Sequence, residues 1–344
     1  MPFFKWVVPG KLAASGMPSE GDLDPIASTF KSVVVLVEEH ELLYDKYDLE
    51  KRGVRVVHKP VPDFGTLNLV DLHELVDEIR SSEGPVLVHC YGGRGRSGLV
   101  VVAYLMATEG LGWEEALERA RRVEPAFVET EEQRRTLWLY DRLLEAVPPR
   151  LLSKAIEIGR AQGQFGRGVG HASKVLELTI ELSEELRRLG LAHLSTEARK
   201  ALYLAALLHD IGVCRLSDSE PDDAHREYSY ELMLEHAEEL SVACDRTTIE
   251  SAALIARSHG RDDPAPASAD KELLTAIGVL RVADGLDYSL DQSVKELRVC
   301  RGGGGLVIKV ICGKKGFSCE SNKRRADKKK LLLEDVLGAP ITVE

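Results

Sequence analysis

The chain has 344 residues, 44% of them apolar, enough to bury two cores of ordinary domain size. A formal net charge of -11 argues against general nucleic-acid binding by the whole chain, and no apolar run reaches the length that crosses a bilayer. The opening MPFFKWVVPGK lacks a signal-peptide pattern, which predicts a cytoplasmic protein. None of the six cysteines forms a Cys-x-x-Cys pair, which argues against a zinc ribbon. Two Asn and four Gln against 29% charged residues suggest a heat-adapted source.

Residues 1–30 hold short apolar pieces and turns. Ser32 to Val37 and Val54 to Val57 read as strands. Asn68 to Ser81 carries Leu69, Leu72, Leu75, Val76 and Ile79 at helical spacing. Val86 to Val88 is a buried strand, Leu99 to Ala107 a helix, and Trp113 to Arg122 and Glu129 to Ala146 two more. Strands alternating with helices predict an α/β domain with a mainly parallel sheet over 1–147. The prolines of Val147-Pro148-Pro149 mark a boundary. From 148 to 295 the periodicity is almost wholly helical, with a loop of five glycines in twelve residues from Gly159 to Gly170. The tail, 296–344, reads as a hairpin of Leu297 to Val299 and Leu306 to Ile311, then one helix, Lys323 to Leu337, packed on the helical domain.

Chemistry concentrates in PVLVHCYGGRGRSG, Pro85 to Gly98. A strand, a glycine loop and a helix start build an anion cradle from backbone N–H groups and the positive helix end. Tyr91, Gly92, Gly93, Arg94 and Gly95 form that cradle, with Cys90 at one end and Arg96 at the other. Convergent donors and a nearby cation favour a thiolate at Cys90, a nucleophile toward phosphorus. The planar guanidinium of Arg96 grips two phosphate oxygens. Ser97 donates to the departing sulfur, and His89 orients the loop through backbone contacts.

His89, Cys90, Gly93, Arg96 and Ser97 resemble the His-Cys-x5-Arg-Ser/Thr signature of the cysteine-dependent protein tyrosine and dual-specificity phosphatases. The resemblance covers about residues 1–146 and implies phosphomonoester hydrolysis through a phosphocysteine intermediate, without a cofactor. Departure of the leaving group needs a positioned acid. Asp63, in Pro60 to Gly65, matches the mobile Asp loop of that family, and Gln133 resembles its water-positioning residue, although an exposed helical Gln needs no role. Arg94, a second guanidinium in the loop, hints at a polyanionic substrate; the alternative is a surface ion pair.

In the helical half, LYLAALLHDI ends in His209 and Asp210, a polar pair that burial would penalise without partners. With His171 and Asp284 on separate helices it forms a mixed nitrogen and oxygen set suited to a divalent ion. The order resembles the HD phosphohydrolase superfamily. LLHDIG and LRVADGLDYS, with the hairpin and basic helix, resemble the C-terminal region of the exopolyphosphatase/guanosine pentaphosphatase (Ppx/GppA) family. That resemblance implies a divalent ion of open identity (Mg, Mn, Fe, Ni or Zn), with His225 and His259 placed to hold a second.

The tail bears Lys314, Lys315, Lys323, Arg324, Arg325, Lys328, Lys329 and Lys330, either an anion-attracting patch or a solvated helix face. The expected protein is a two-domain phosphatase acting on a phosphorylated protein or a small, highly phosphorylated compound such as polyphosphate. No nucleic-acid polymer or membrane partner is expected, and a homodimer is compatible. The alternative is a single-activity phosphatase whose helical half is a non-catalytic nucleotide- or polyphosphate-binding regulator.

Overall fold

A computed structural model describes residues 4–266, 269–313 and 319–344. The chain divides into two compact units, Met1–Asp141 and Arg142–Glu344.

In the first unit the strands β1 (Phe4–Val8), β2 (Leu12–Ser15), β3 (Ser32–Val35), β4 (Arg55–His58) and β5 (Val86–His89) form one sheet in the order β1-β2-β5-β3-β4. Only the β1–β2 pair is antiparallel. The helices are α1 (Leu23–Thr29), α2 (Lys46–Lys51), α3 (Leu69–Ser81), α4 (Gly95–Glu109), α5 (Trp113–Arg121) and α6 (Glu131–Ala146). β5 is central, and Val86, Leu87 and Val88 are fully buried. Its last residue, His89, pairs in register with Ser15 and Val35, so Cys90 emerges at the carboxyl edge of the parallel strands. Open α/β sheets bind ligands at that edge. The helices start where side chains satisfy free N–H groups: Asn68 accepts from Asp71 N at 2.9 Å to open α3.

Two features differ from the expectation for this half. Residues 1–30 contain the β1–β2 hairpin, turned through Gly10 at φ +72°. Strands of five and four residues are too short to show a period. The cradle helix starts at Gly95 and not at Leu99, so Arg96 and Ser97 lie in its first turn. Glycine is a poor helix former, but packing requires it here: a Cβ on Gly95 would lie 2.7 Å from Glu129 Oε2, and one on Gly98 2.8 Å from Val128 N.

The second unit stacks α7 (Pro149–Ala161), α8 (Val169–Arg188), α9 (Thr196–Leu208), α10 (His225–Glu235), α11 (Ala237–Leu240), α12 (Arg246–Arg257) and α13 (Lys271–Gly285). β6 (Val294–Gly302), β7 (Gly305–Cys312) and β8 (Ile341–Val343) form a small sheet, with α14 (Glu320–Lys329) and α15 (Leu331–Leu337) between its last two strands. The expected single tail helix is therefore two, and β8, parallel to β7, was not anticipated. The break lets both pieces pack on α13. A Cβ on Gly285 would lie 2.7 Å from Ala326 Cα, and one on Gly278 3.1 Å from Leu333 Cα. A disulfide joins Cys312 to Cys319; Lys314 and Lys315 lie outside the described residues. Among the described residues no helix is long and apolar enough to cross a membrane.

Candidate active sites

The first site grows from the end of β5. Cys90 is 2% exposed and follows His89, whose ring is fully buried. The loop then turns at Gly93, φ +69°, where a Cβ would fall 2.5 Å from Gly16 N, so the backbone must be bare there. The Arg94 carbonyl accepts from Gly98 N at 3.0 Å and Val128 N at 3.3 Å, fixing the loop to the start of α4. The Arg94 side chain is exposed and forms no ion pair among the described residues. Ser97 Oγ is buried without a hydrogen-bond partner.

Arg96 is buried and held on three sides. Its Nη1 donates to Glu41 Oε2 at 2.7 Å and Val61 O at 2.9 Å; its Nη2 donates to Glu41 Oε1 at 2.9 Å and Asp63 Oδ1 at 3.1 Å. Burial opposes the guanidinium charge, but Glu41, Cys90 and Asp63 together raise its pKa above the ordinary arginine value. Cys90, Arg96 and Asp63 therefore share one site. The Asp63 side chain is 62% exposed, on a turn closed by Gly65 N donating to Pro62 O at 2.8 Å.

Gln133 is buried, not an exposed helical residue. Its Oε1 accepts from Glu129 N at 2.9 Å and its Nε2 donates to Gly65 O at 2.9 Å, bracing the Asp63 turn against α6. A helical period cannot reveal this, because the partner is a backbone carbonyl of a distant loop.

Glu41 escaped the sequence reading: nothing local distinguishes it, and Arg96 lies 55 positions away. Its carboxylate also accepts from Glu38 N at 2.8 Å, and its pKa is lowered chiefly by the hydrogen bond from Arg96. Glu41→Gln keeps the shape but removes half of the fork. We expect kcat/KM toward an aryl phosphate to fall about 100-fold, because small displacements of a positioning group are costly. An unchanged rate would show that Arg96 needs no brace.

His89 touches Tyr44 Oη through Nε2 at 2.8 Å and its own loop through the Cys90 carbonyl at 3.3 Å. Burial pushes its pKa from 6.5 down to about 4. The folded chain thus binds this proton more weakly than the unfolded chain. Stability conferred by neutral His89 is full above the unfolded value and is lost as pH falls from 6.5 toward 4. The loss amounts to about 3 kcal/mol. Urea midpoints at neutral and mildly acidic pH should separate less in His89→Asn than in the wild type.

The second site lies among α8, α9, α10, α12 and α13. His171 opens α8, His209 and Asp210 close α9, His225 opens α10, His259 follows α12 and Asp284 ends α13. All five of His171, His209, Asp210, His225 and His259 are buried. His209 and His259 donate Nδ1–H to the Ala206 carbonyl at 2.9 Å and the Ala256 carbonyl at 2.6 Å. His225 donates likewise to the Asp222 carbonyl. His171 Nδ1 meets Asp287 Oδ2 at 2.9 Å. A carbonyl only accepts, so each neutral ring turns its Nε2 lone pair inward.

Those nitrogens converge. Nε2 of His171 and of His209 are buried without hydrogen-bond partners. They lie 3.5 and 3.4 Å from Asp210 Oδ2, and 3.6 and 3.7 Å from Asp284 Oδ1. On the other side, His225 Nε2 and His259 Nε2 stand 3.3 Å apart, 3.0 and 3.7 Å from Asp210 Oδ1. A buried convergence of acceptors is costly by itself and suits a divalent cation. Two groups could each hold an ion, His171-His209-Asp210 and Asp210-His225-His259, with Asp210 common to both. Burial would raise the Asp210 and Asp284 carboxyls. The Lys329 ammonium nonetheless holds the Asp284 carboxyl well below the usual carboxylate range.

The first unit is thus a mostly parallel sheet with a buried cysteine and arginine at its carboxyl edge, and the second a helical unit with a buried histidine–aspartate cluster. Residues 30–143 match the dual specificity phosphatase catalytic domain and residues 168–289 match the HD domain. The chain carries both. It is 36% identical over 74 residues to dual specificity protein phosphatase 1B of Arabidopsis thaliana, covering 22% of this chain and 44% of that protein. It is 44% identical over 50 residues to dual specificity protein phosphatase 15 of Rattus norvegicus, covering 14% of this chain and 21% of that protein. The chain thus spans less than half the length of either relative. Among solved structures, that of Tk-PTP in the active form is 45% identical, with a TM-score of 0.40, covering 41% of this chain and 97% of that one.

Proposed function

We propose that this chain is a two-site phosphohydrolase. The observation that carries the first activity is the Arg96 fork, fixed by Glu41 and touching Asp63, beside Cys90 at the carboxyl edge of β5. The Cys90 thiolate attacks phosphorus in line. A sulfur–phosphorus bond forms as the phosphorus–oxygen bond to the leaving group breaks, and Asp63 gives that oxygen its proton. Arg96 and the loop N–H groups of 91–95 hold the transferring phosphoryl oxygens. Asp63, now a carboxylate, takes a proton from water as the water displaces sulfur, and Ser97 Oγ donates to the leaving thiolate. Gln133 acts through the Asp63 turn that it braces, His89 through the Cys90 carbonyl. The exposed, unpaired Arg94 favours a highly phosphorylated substrate, whether a phosphoprotein segment or a small polyanion.

In the second site His171, His209, Asp210 and Asp284 would hold one divalent ion, with Asp210, His225 and His259 placed for another. The inward lone pairs support this, as does the likeness of LLHDIG and LRVADGLDYS to the Ppx/GppA helical region. When bound, such an ion supplies Lewis acidity and an activated water for phosphate hydrolysis. The surrounding carbonyls and Asp287 keep the histidine tautomers fixed.

A panel of aryl phosphate, phosphopeptides, phosphoinositide, nucleotides and polyphosphate, assayed with and without chelator, tests both halves. Cys90-dependent turnover should survive metal removal, and a second turnover should not. If His209→Ala/Asp210→Ala retains every activity of the wild type, the helical half is a regulator and no independent catalyst.

A further inference from the structure

Two cations press on the carboxylates of the histidine cluster. Arg167, in the glycine loop before α8, places Nε 3.0 Å from Asp210 Oδ2, while its Nη2 reaches both oxygens of Asp222 at 2.7 and 2.8 Å. The loop lies hard against the cluster: a Cβ on Gly166 would fall 1.9 Å from the Asp210 carbonyl oxygen. Lys329 comes from α14, beyond the residues 168–289 that match the HD domain. It donates to Asp284 Oδ2 and, at 3.1 Å, to the His259 carbonyl.

Lys329 also stands apart from the basic helix that bears it. Arg324 and Lys328 are exposed, Lys323, Arg325 and Lys330 half-buried, and Lys329 alone is buried, at 4%. Lysine is rarely buried unless a charge calls for it. Asp284 keeps Oδ1 toward His171 and His209 while Oδ2 takes Lys329, so the contact leaves the ion-facing oxygen unoccupied. The cluster is most open to solvent at Asp284, 16% exposed, and at Arg167, 27% exposed. Arg167 therefore stands at its mouth, while Lys329, 4% exposed, lies inside it against Asp284. Nη1 of Arg167 and the third N–H of Lys329 remain uncommitted.

We propose that Arg167 and Lys329 are the anion grip of this site, specificity-determining residues that take phosphoryl oxygens of a phosphorylated ligand. This rests on the metal reading given above. With two divalent ions bound, the carboxylates of Asp210, Asp222, Asp284 and Asp287 neutralise only four of the six positive charges carried by the ions, Arg167 and Lys329. The surplus positive charge draws an anion. The tail then belongs to the site, because α14 supplies one of its two anion contacts.

Titration calorimetry of inorganic phosphate into the full chain, metal-free and Mn2+-loaded, tests this, with metal content measured on the same samples. The metal-free chain gives the contribution of the cysteine site. The loaded wild type should gain a further phosphate site. Lys329→Met and Arg167→Met should each weaken that site about tenfold or more at unchanged metal content, and Lys329→Arg should restore it. Equal phosphate affinity in wild type and both methionine variants overturns the proposal while leaving the metal site standing. So does loss of metal in Lys329→Met, which would make the lysine a brace for the ion. A wild type that takes up no Mn2+ overturns the metal reading itself. Should Lys329→Met fail to fold by circular dichroism, Arg167→Met, nearer the surface, decides.

Discussion

Cys90→Ser should lower turnover of aryl phosphates by about 10^4-fold or more, as loss of a covalent nucleophile does in other enzymes. A hydroxyl in place of the thiol is too weak an acid to ionise in the cradle at neutral pH, so the displacement at phosphorus lacks its nucleophile. Phosphate binding should persist, because the loop N–H groups and the Arg96 fork are untouched. Rapid-quench mass spectrometry should detect phosphorus on Cys90 of the wild type during turnover and none on the variant. Residual activity of a tenth or more of the wild type would remove the phosphocysteine from the mechanism.

Asp210→Asn should have the larger effect in the helical unit. Among the described residues Asp210 alone faces both candidate ion positions, Oδ2 toward His171 and His209 and Oδ1 toward His225 and His259. An amide keeps the volume but halves the acceptors and removes the charge. Replacing an outer partner of a metal ligand typically costs 10–100-fold in affinity, so losing this shared ligand should cost more than about 100-fold. Elemental analysis should find the variant nearly free of metal, and chelator-sensitive turnover should vanish with it. Cys90-dependent turnover should remain. Full metal content in Asp210→Asn would mean that the ions, if bound, sit elsewhere.

Local signals were legible in the chain. The run of Val86 to Val88 before a glycine loop announced the central strand, and His209-Asp210 at the end of an apolar helix announced a buried polar centre. What escaped was what the fold alone brings together. Glu41 meets Arg96 across the sheet edge, and Lys329 meets Asp284 from a helix 45 residues later. Neither carries a pattern at its own position. The tail reads as one helix because its basic residues follow a helical period through Lys330. The break there reflects close approach to Gly278 and Gly285 of α13, a tertiary contact that no local propensity encodes. The helical period likewise puts Gln133 on the surface, whereas its burial comes from the loop that crosses it.

The place of β5 has a bearing on how the molecule fails. The strand that presents Cys90 lies mid-sheet, with a hydrogen-bonded parallel neighbour on each side and no solvent on its apolar residues. Such a segment opens only when its whole cooperative unit melts, and its amides exchange last. Fraying of edges and termini therefore leaves Cys90 in place until the sheet itself gives way. Loss of Cys90-dependent turnover on heating should therefore act as a thermometer for global unfolding of the first unit.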